Sequence, residues 1–250
     1  MRIIYKVATH IAATTMEPRR PELQIFTRIQ STLSPGSAYT LNDLALALGR
    51  SKKTAYRYLQ QLKRMGFVIA SHEGVFTLRD SVFLPPSVIP KILPSLLAIS
   101  QEQKFRLRNG DLGIEKARRL LMKLGGFPTL DYAAYELTGY QTPTAFHFYP
   151  DSLEQAIQVL RESGYVKSPR GCVILLPKTG DFSDQIQRVF YDSLAVGGRG
   201  ILDAIAIARR YPKETGSAGY LHSLLKMASK VEQDIGGSDR LVSSRGMRED

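Results

Sequence analysis

"LNDLALALGRSKKTAYRYLQQLKRMGFV", Leu41–Val68, is the stretch on which the reading of this chain turns. Leu41, Leu44, Ala45 and Leu48 recur at i, i+3, i+4 and i+7, which places them on one face of a helix. Thr40 and Asp43 have the spacing of a capping box, in which each side chain accepts the other's backbone N–H. Gly49 is free to take the left-handed conformation that ends a helix sharply. Ser51 then stands at the N-cap of a second helix. Its inner face is Ala55, Tyr58, Leu59 and Leu62, again at i, i+3, i+4 and i+7. Its outer face is cationic and polar: Lys53, Arg57, Gln60 and Arg64 at helical spacing, with Lys52, Thr54, Tyr56 and Gln61 beside them. A helix that only closes a core has no use for that outer face.

The flanks continue the pattern. Upstream, Pro21 marks a helix start, and Leu23, Phe26, Ile29 and Leu33 follow at helical spacing. Ser34–Tyr39 reads as a turn. Downstream, Phe67–Ala70 and Val75–Leu78 are two β-rich runs separated by Ser71–Gly74, the chemistry of a hairpin. Ala45 and Ala55 are small where two helices must cross closely. The run Leu-Ala-x-x-Leu-Gly-x-Ser-x-x-Thr-Ala-x-x-x-Leu, Leu44 to Leu59, resembles the winged helix-turn-helix of bacterial and archaeal regulators over about Pro21 to Asp80. In that arrangement the first helix braces and the second lies in a major groove wide enough to admit it.

The resemblance implies double-stranded DNA as partner. Lys52, Lys53 and Arg64 are expected on phosphates, and Thr54, Tyr56, Arg57 and Gln60 on base edges, with Gln61 beside them. Ser51, Lys52 and the first amides of the helix form an N-terminus that favours a phosphate oxygen. The wing tip carries Glu73 and no Lys or Arg, so its expected task is to close the small core. Single winged helices bind weakly, and a homodimer reading two half-sites about one duplex turn apart is expected.

Composition agrees with a nucleic-acid partner. The 250 residues carry 34 Lys and Arg against 23 Asp and Glu, a formal net charge of +11. Such an excess favours nucleic acid or acidic surfaces and says nothing about fold. At 43% hydrophobic residues the chain can bury real cores, and its length predicts two domains. The single cysteine, Cys172, reads as a buried small hydrophobe in a reducing compartment. Lys6, Thr9 and His10 interrupt the N-terminal apolar stretch, and no run is long enough to span a bilayer. A cytoplasmic location without membrane contact is expected.

The expected fold class is α+β: an N-terminal arm over 1–20, the winged helix-turn-helix over 21–82, a Pro-rich linker and connecting helix over 83–110, a mixed α/β domain over 111–235 and a disordered tail over 236–250. The linker holds prolines at 85, 86, 90 and 94, its apolar content predicts that it packs rather than swings free, and its helix is placed around Leu96–Leu107. Beyond it, helices are expected to close at Gly125–Gly126 and at Gly139. A strand "TAFHFY", a helix capped by Asp151 or Ser152, a strand "GCVILLP" buried on both faces, two helices flanking "GGRG" and a last helix from Gly219 to Ile235 follow. Gly197–Gly200 reads as a tight interhelical turn, with a phosphate cradle completed by Arg199 as the alternative. Lys167, Arg170, Lys178 and Arg188 are expected to add a diffuse basic surface.

Leu137–Gly139 ending a helix, two strands, and then "YDSLAVGGRGILDAI", Tyr191–Ile205, resemble the C-terminal domain of AbiEi-like antitoxins from type IV toxin–antitoxin systems. That resemblance covers about Asp131 to Pro212. It implies a domain related in fold to nucleotidyltransferases, repression of the protein's own operon, and a cognate toxin as a second partner. A working nucleotidyltransferase needs closely spaced acids to hold Mg²⁺. The Thr138–Gly139 turn is followed by Gln, Thr, Pro and aromatics instead, and Asp181 and Asp184 read as acids at a helix start. No catalytic residue and no cofactor is assigned. His10, His72, His147 and His222 are scattered without metal spacing. Two other readings remain: a nucleic-acid-processing enzyme that docks through the winged helix, and a pure protein-interaction module.

Overall fold

The computed structural model describes residues 20–34, 37–72, 74–108, 112–180 and 183–217, with 221, 222, 224, 225 and 228 beyond them, side chains at 20–24 and 70–72 excepted. The chain is of mixed α+β type and divides into two compact units between Pro94 and Ser95. The arm over 1–20 (Arg20 apart), most of the expected last helix and the tail after Gly236 lie outside the described residues, as do Glu73 and Asp181.

In the first unit, helix α1 (Arg20–Thr32) carries Pro21 in its first turn, where a missing N–H costs nothing. Strand β1 (Ala38–Thr40), helix α2 (Leu41–Leu48), helix α3 (Lys52–Arg64), strands β2 (Val68–His72) and β3 (Val75–Leu78) and a 3-10 turn (Asp80–Phe83) follow. The sheet runs β1-β3-β2, antiparallel throughout, with Tyr39 opposite Phe76 and Phe76 opposite Ser71. Phe26, Ile29, Leu44, Leu48, Ala55, Leu62, Phe67, Phe76 and Leu78 fill the core. Phe26 meets Phe67 edge-on at 5.3 Å between centroids, a favoured aromatic geometry.

Two expectations need correction here. Ser34–Tyr39 is not all turn: its end enters β1, because Tyr39 can pack on Phe76 only when extended beside β3. The first hairpin run also continues through Ser71 and His72, which pair with Phe76 and Val75.

The Pro-rich segment packs into the first unit, as its apolar content predicts. Val82, Leu84, Val88 and Ile92 are buried, and the Gln30 amide donates to the carbonyls of Val82 (2.8 Å) and Leu84 (2.7 Å). Helix α4 spans Ile89–Ser100, with Pro94 inside it and the unit boundary just after that proline. The connecting helix expected through Leu107 stops at Ser100, and Gln103–Leu107 is a strand, β4. Its residues pair with two neighbours at once, Phe105 opposite both Val173 and Lys167, and Phe105 alone is buried in "QKFRL".

The second unit continues with α5 (Ile114–Leu124), β5 (Phe127–Thr129), α6 (Leu130–Thr138), β6 (Phe146–Tyr149), α7 (Leu153–Glu162), β7 (Tyr165–Lys167), β8 (Val173–Leu175), α8 (Gln185–Val196), α9 (Arg199–Arg210) and a short α10 (Pro212–Thr215). Its sheet order is β5-β6-β8-β4-β7, with β6 and β8 parallel and every other pair antiparallel. The β8 strand lies mid-sheet and all three of its residues are buried, whereas Cys172 just before it is only half-buried. Phe105, Phe146, Phe148, Val173 and Leu175 pack with Ala117, Leu120, Leu124, Ala156 and Leu160 of α5 and α7. Tyr149, which alternates with Phe148, meets α8 instead.

The α8–α9 corner is the tight turn that "GGRG" was read as. A Cβ on Gly200 would stand 2.4 Å from the Ser193 carbonyl oxygen, so only glycine lets the two helices approach this closely. The amides of Gly200 and Ile201 donate to the carbonyls of Gly197 and Gly198, which leaves them committed to the turn.

Candidate nucleic-acid interface

Helices α2 and α3 are set by caps at each end. Thr40 and Asp43 form the full capping box: the Asp43 N–H donates to the Thr40 hydroxyl oxygen (3.3 Å), and the Thr40 N–H donates to Asp43 (2.7 Å). The Thr40 N–H and hydroxyl hold the Asp43 carboxyl below the usual carboxylate range. Gly49 closes α2 at φ 59, the left-handed region, and its N–H reaches the carbonyls of Ala45 and Leu46. The Arg28 guanidinium of α1 donates to the Leu48 carbonyl at 2.6 Å, a cation at the negative end of the helix. Ser51 caps α3 by accepting the Thr54 N–H at 3.4 Å.

These caps fix the rotation of α3 about its axis. Ala55, Leu59 and Leu62 are buried, and Tyr58 is half-buried. Lys53, Arg57, Gln60 and Arg64 fall within a sector of about 60° on the opposite side, at 3.6 residues per turn. Of these, Lys53, Arg57 and Arg64 are exposed and Gln60 is half-buried. Ser51, Lys52, Tyr56 and Gln61 are exposed as well, and Thr54 is half-buried. Tyr56 is 53% exposed, much for an aromatic ring without a task in the core. Among the described residues, Lys52, Lys53, Arg57 and Arg64 make no ion pair. The ridge is therefore a row of donors with unused capacity, spread over about 16 Å of helix axis. A helix about 10–12 Å across fits a major groove about 12 Å wide. No protein family, curated sequence or solved structure matches the chain.

The structure thus brings all nine expected contact residues onto one helix and its cap. Two of them also belong to a second feature. Gln61 and Arg64 border a groove of about 210 Å³ lined by Phe26, Tyr58, Leu62, Met65, Ile89 and Leu93, among others. Nothing in the α3 pattern announced it, because its walls come from three helices far apart in sequence. The hairpin carries exposed Ile69 and Val75 and buried Phe76 and Leu78, so one side of it belongs to the core of the first unit.

In the second unit the expected basic surface is partly wrong. Arg188 is 5% exposed and lies inside. Its Nη2 donates to the Tyr149 hydroxyl (2.6 Å), its Nη1 to the Thr179 carbonyl (2.6 Å), and its Nε stands 2.9 Å from Asp192. That last contact is an ion pair by distance, off the alignment of a hydrogen bond. Thr129 donates to the other Asp192 oxygen at 2.5 Å. Burial pushes the Asp192 carboxyl up while Arg188 pulls it down, and burial likewise raises the Tyr149 phenol. Lys178 is paired with Asp151 at 2.7 Å, and Lys167 donates to Gln103 at 3.3 Å. Only Arg170 of the four is left as exposed charge with no such contact among the described residues.

Arg199 is likewise engaged: its Nε donates to the Gln141 side-chain Oε1 (3.0 Å), and the Gln141 Nε2 donates to Asp203 (2.8 Å). Burial raises the Asp203 carboxyl to about 7, against the Gln141 hydrogen bond. Asp184 caps α8 by accepting the Gln187 N–H, as an acid at a helix start should. The His147 ring has a hidden Nδ1, and burial lowers its pKa. Among the described residues, no three His, Cys, Asp or Glu gather as metal ligands would, and no helix is long and apolar enough to cross a membrane.

Proposed function

We propose that the first unit is a winged helix-turn-helix that binds duplex DNA through α3, and that the chain is a sequence-specific transcriptional repressor. One observation carries this reading: Lys53, Arg57, Gln60 and Arg64 stand back to back with buried Ala55, Leu59 and Leu62 on a single capped helix. Lys52, Lys53 and Arg64 neutralise phosphates and set the register, while Thr54, Tyr56, Arg57 and Gln60 face base edges. The net charge of +11 adds long-range attraction to the same partner. A homodimer supplies the two half-sites that a single module lacks.

The test begins by selecting duplexes from a random pool with the full chain, then titrating the selected duplex across a salt series. Binding whose logarithm falls with log salt by about 0.9 per neutralised phosphate is expected. Binding without that slope, or no enrichment at all, removes the reading.

The second unit is proposed to act without catalysis, since the strand after the Thr138–Gly139 turn carries Phe146, His147, Phe148 and Tyr149 and no acid. Metal-dependent nucleotide turnover by the purified chain would overturn this. The antitoxin reading rests on the resemblance of Leu137–Gly139 and Tyr191–Ile205. It requires that this chain rescue growth when co-expressed with the product of the reading frame directly downstream; failure of rescue leaves a plain regulator.

A further inference from the structure

We propose that the groove beside α3 binds a small aromatic monocarboxylate, and that this anion and a DNA phosphate compete for Arg64. The second clause rests on the DNA reading above; the first does not.

The groove lies within the first unit, walled by α1, α3 and the first turns of α4. Its size, about 210 Å³, is below the roughly 300–1,000 Å³ of sites for drug-sized ligands, so its occupant has about ten non-hydrogen atoms. Its wall is apolar almost throughout, and the rings of Phe26 and Tyr58 and the thioether of Met65 favour an aromatic body over an aliphatic one. Gln61 and Arg64 are the polar residues that border it, and no acid is among the lining residues. Arg64 therefore has no carboxylate to answer it there, and among the described residues it makes no ion pair elsewhere. The groove lies by the C-terminal turn of α3, whose partial negative charge is about half a unit, less than the full charge of a guanidinium. The net complementarity is to an anion with a flat apolar body, held by a charge-assisted fork at one end.

Arg64 belongs to both surfaces. It ends the ridge of Lys53, Arg57 and Gln60, and it borders the groove. A carboxylate held there withdraws one cation from the duplex, so ligand and DNA are negatively coupled through one side chain.

The experiment titrates the full chain by calorimetry with phenylacetate, with phenylacetamide as the neutral body and with acetate as the anion without a body. Saturable one-to-one binding of phenylacetate is expected, with the amide weaker by about tenfold or more, the worth of a charge-assisted hydrogen bond, and acetate weaker by at least as much for want of a ring to bury. Arg64→Gln should bring phenylacetate down to the level of the amide and leave the amide unchanged. Leu93→Phe, which fills the groove from a half-buried position, should remove both. Absence of saturable binding, equal binding of acid and amide, or an Arg64→Gln variant that still prefers the acid each overturns the site. With the selected duplex, saturating phenylacetate should lower the salt slope by about one. An unchanged slope overturns the shared use of Arg64. A chain that takes phenylacetate through Arg64 but binds no duplex keeps the site and loses the DNA reading.

Discussion

Two helices of this protein carry arginine in opposite ways. On α3, Arg57 and Arg64 stand in solvent with no ion pair among the described residues, and the helix is buried only along Ala55, Leu59 and Leu62. On α8, Arg188 lies inside beside Asp192, and the neighbouring Val189, Phe190, Tyr191, Leu194 and Ala195 are all buried. What differs is the remaining surface of each helix. One apolar stripe leaves a face for charge, while a helix buried on every side from Arg188 to Ala195 must internalise whatever charge it holds there and supply a counter-ion. Cations of the first kind are available to a partner, and those of the second kind hold the fold.

The largest expected effect breaks the internal pair. Asp192→Ala takes away the carboxylate 2.9 Å from the buried Arg188 guanidinium, and should cost about 3–5 kcal/mol, read as a lowered urea midpoint at constant slope. Replacing both partners, Arg188→Met with Asp192→Leu, should be far milder, because no charge is left stranded. If the single and double variants lose equal stability, packing rather than charge holds that corner.

Next comes Asp203, whose carboxyl is raised to about 7 by burial, with Asp131 adding to the rise and Gln141 and Arg199 opposing it. A folded-state value above the ordinary 3.8 means that the folded chain holds this proton more tightly than the unfolded chain. The contribution is therefore complete below about pH 4 and is lost as pH rises through 7, at up to about 1.4 kcal/mol per pH unit. Asp203→Asn keeps an acceptor for the Gln141 amide and removes the titration. Melting temperatures of the variant should vary less between pH 4 and 8, and exceed the parent's at pH 8. Parallel pH curves for parent and variant would refute the assignment.

Smaller effects test the frame that aims α3. Gly49→Ala forces a β-carbon into a left-handed turn at φ 59, 3.3 Å from the Arg28 guanidinium, and should cost about 1–2 kcal/mol. Thr40→Ala removes half of the capping box for about 1 kcal/mol. Both are readable as denaturation midpoints, and neither touches the α3 ridge, so duplex affinity should fall only as far as folding does.

How much of this was legible follows from how local each signal is. Thr40, Asp43, Gly49 and Ser51 determine their own neighbourhoods through hydrogen bonds a few residues long, so the turn between α2 and α3 could be read residue by residue. β1 and β4 could not, since three to five residues become a strand only beside a partner some 35 to 70 positions away, as Tyr39 does beside Phe76 and Lys104 beside Ile174. The groove beside α3 was hidden for the same reason. Arg188 is a different case. Its helix was foreseen, and "QRVFYDSLAV", with Asp192 at i+4 and apolar residues on every side, held the sign that this arginine is internal.

The smallest expected effect on stability is the one that separates the two kinds of cation. Lys53→Ala on the open ridge should change the denaturation midpoint by no more than about 0.5 kcal/mol, because the exposed side chain has no ion pair among the described residues to lose. On a selected duplex the same variant should weaken every sequence alike and lower the salt slope by about one, since one phosphate contact is gone. Arg57→Ala should match it in stability but discriminate among sequences, costing about 1–3 kcal/mol on the best site and less on others, as a base contact does. If Lys53→Ala leaves affinity and slope untouched while folding is intact, the exposed cations of the ridge are solvated charge. The contrast with α8 would then be one of burial alone.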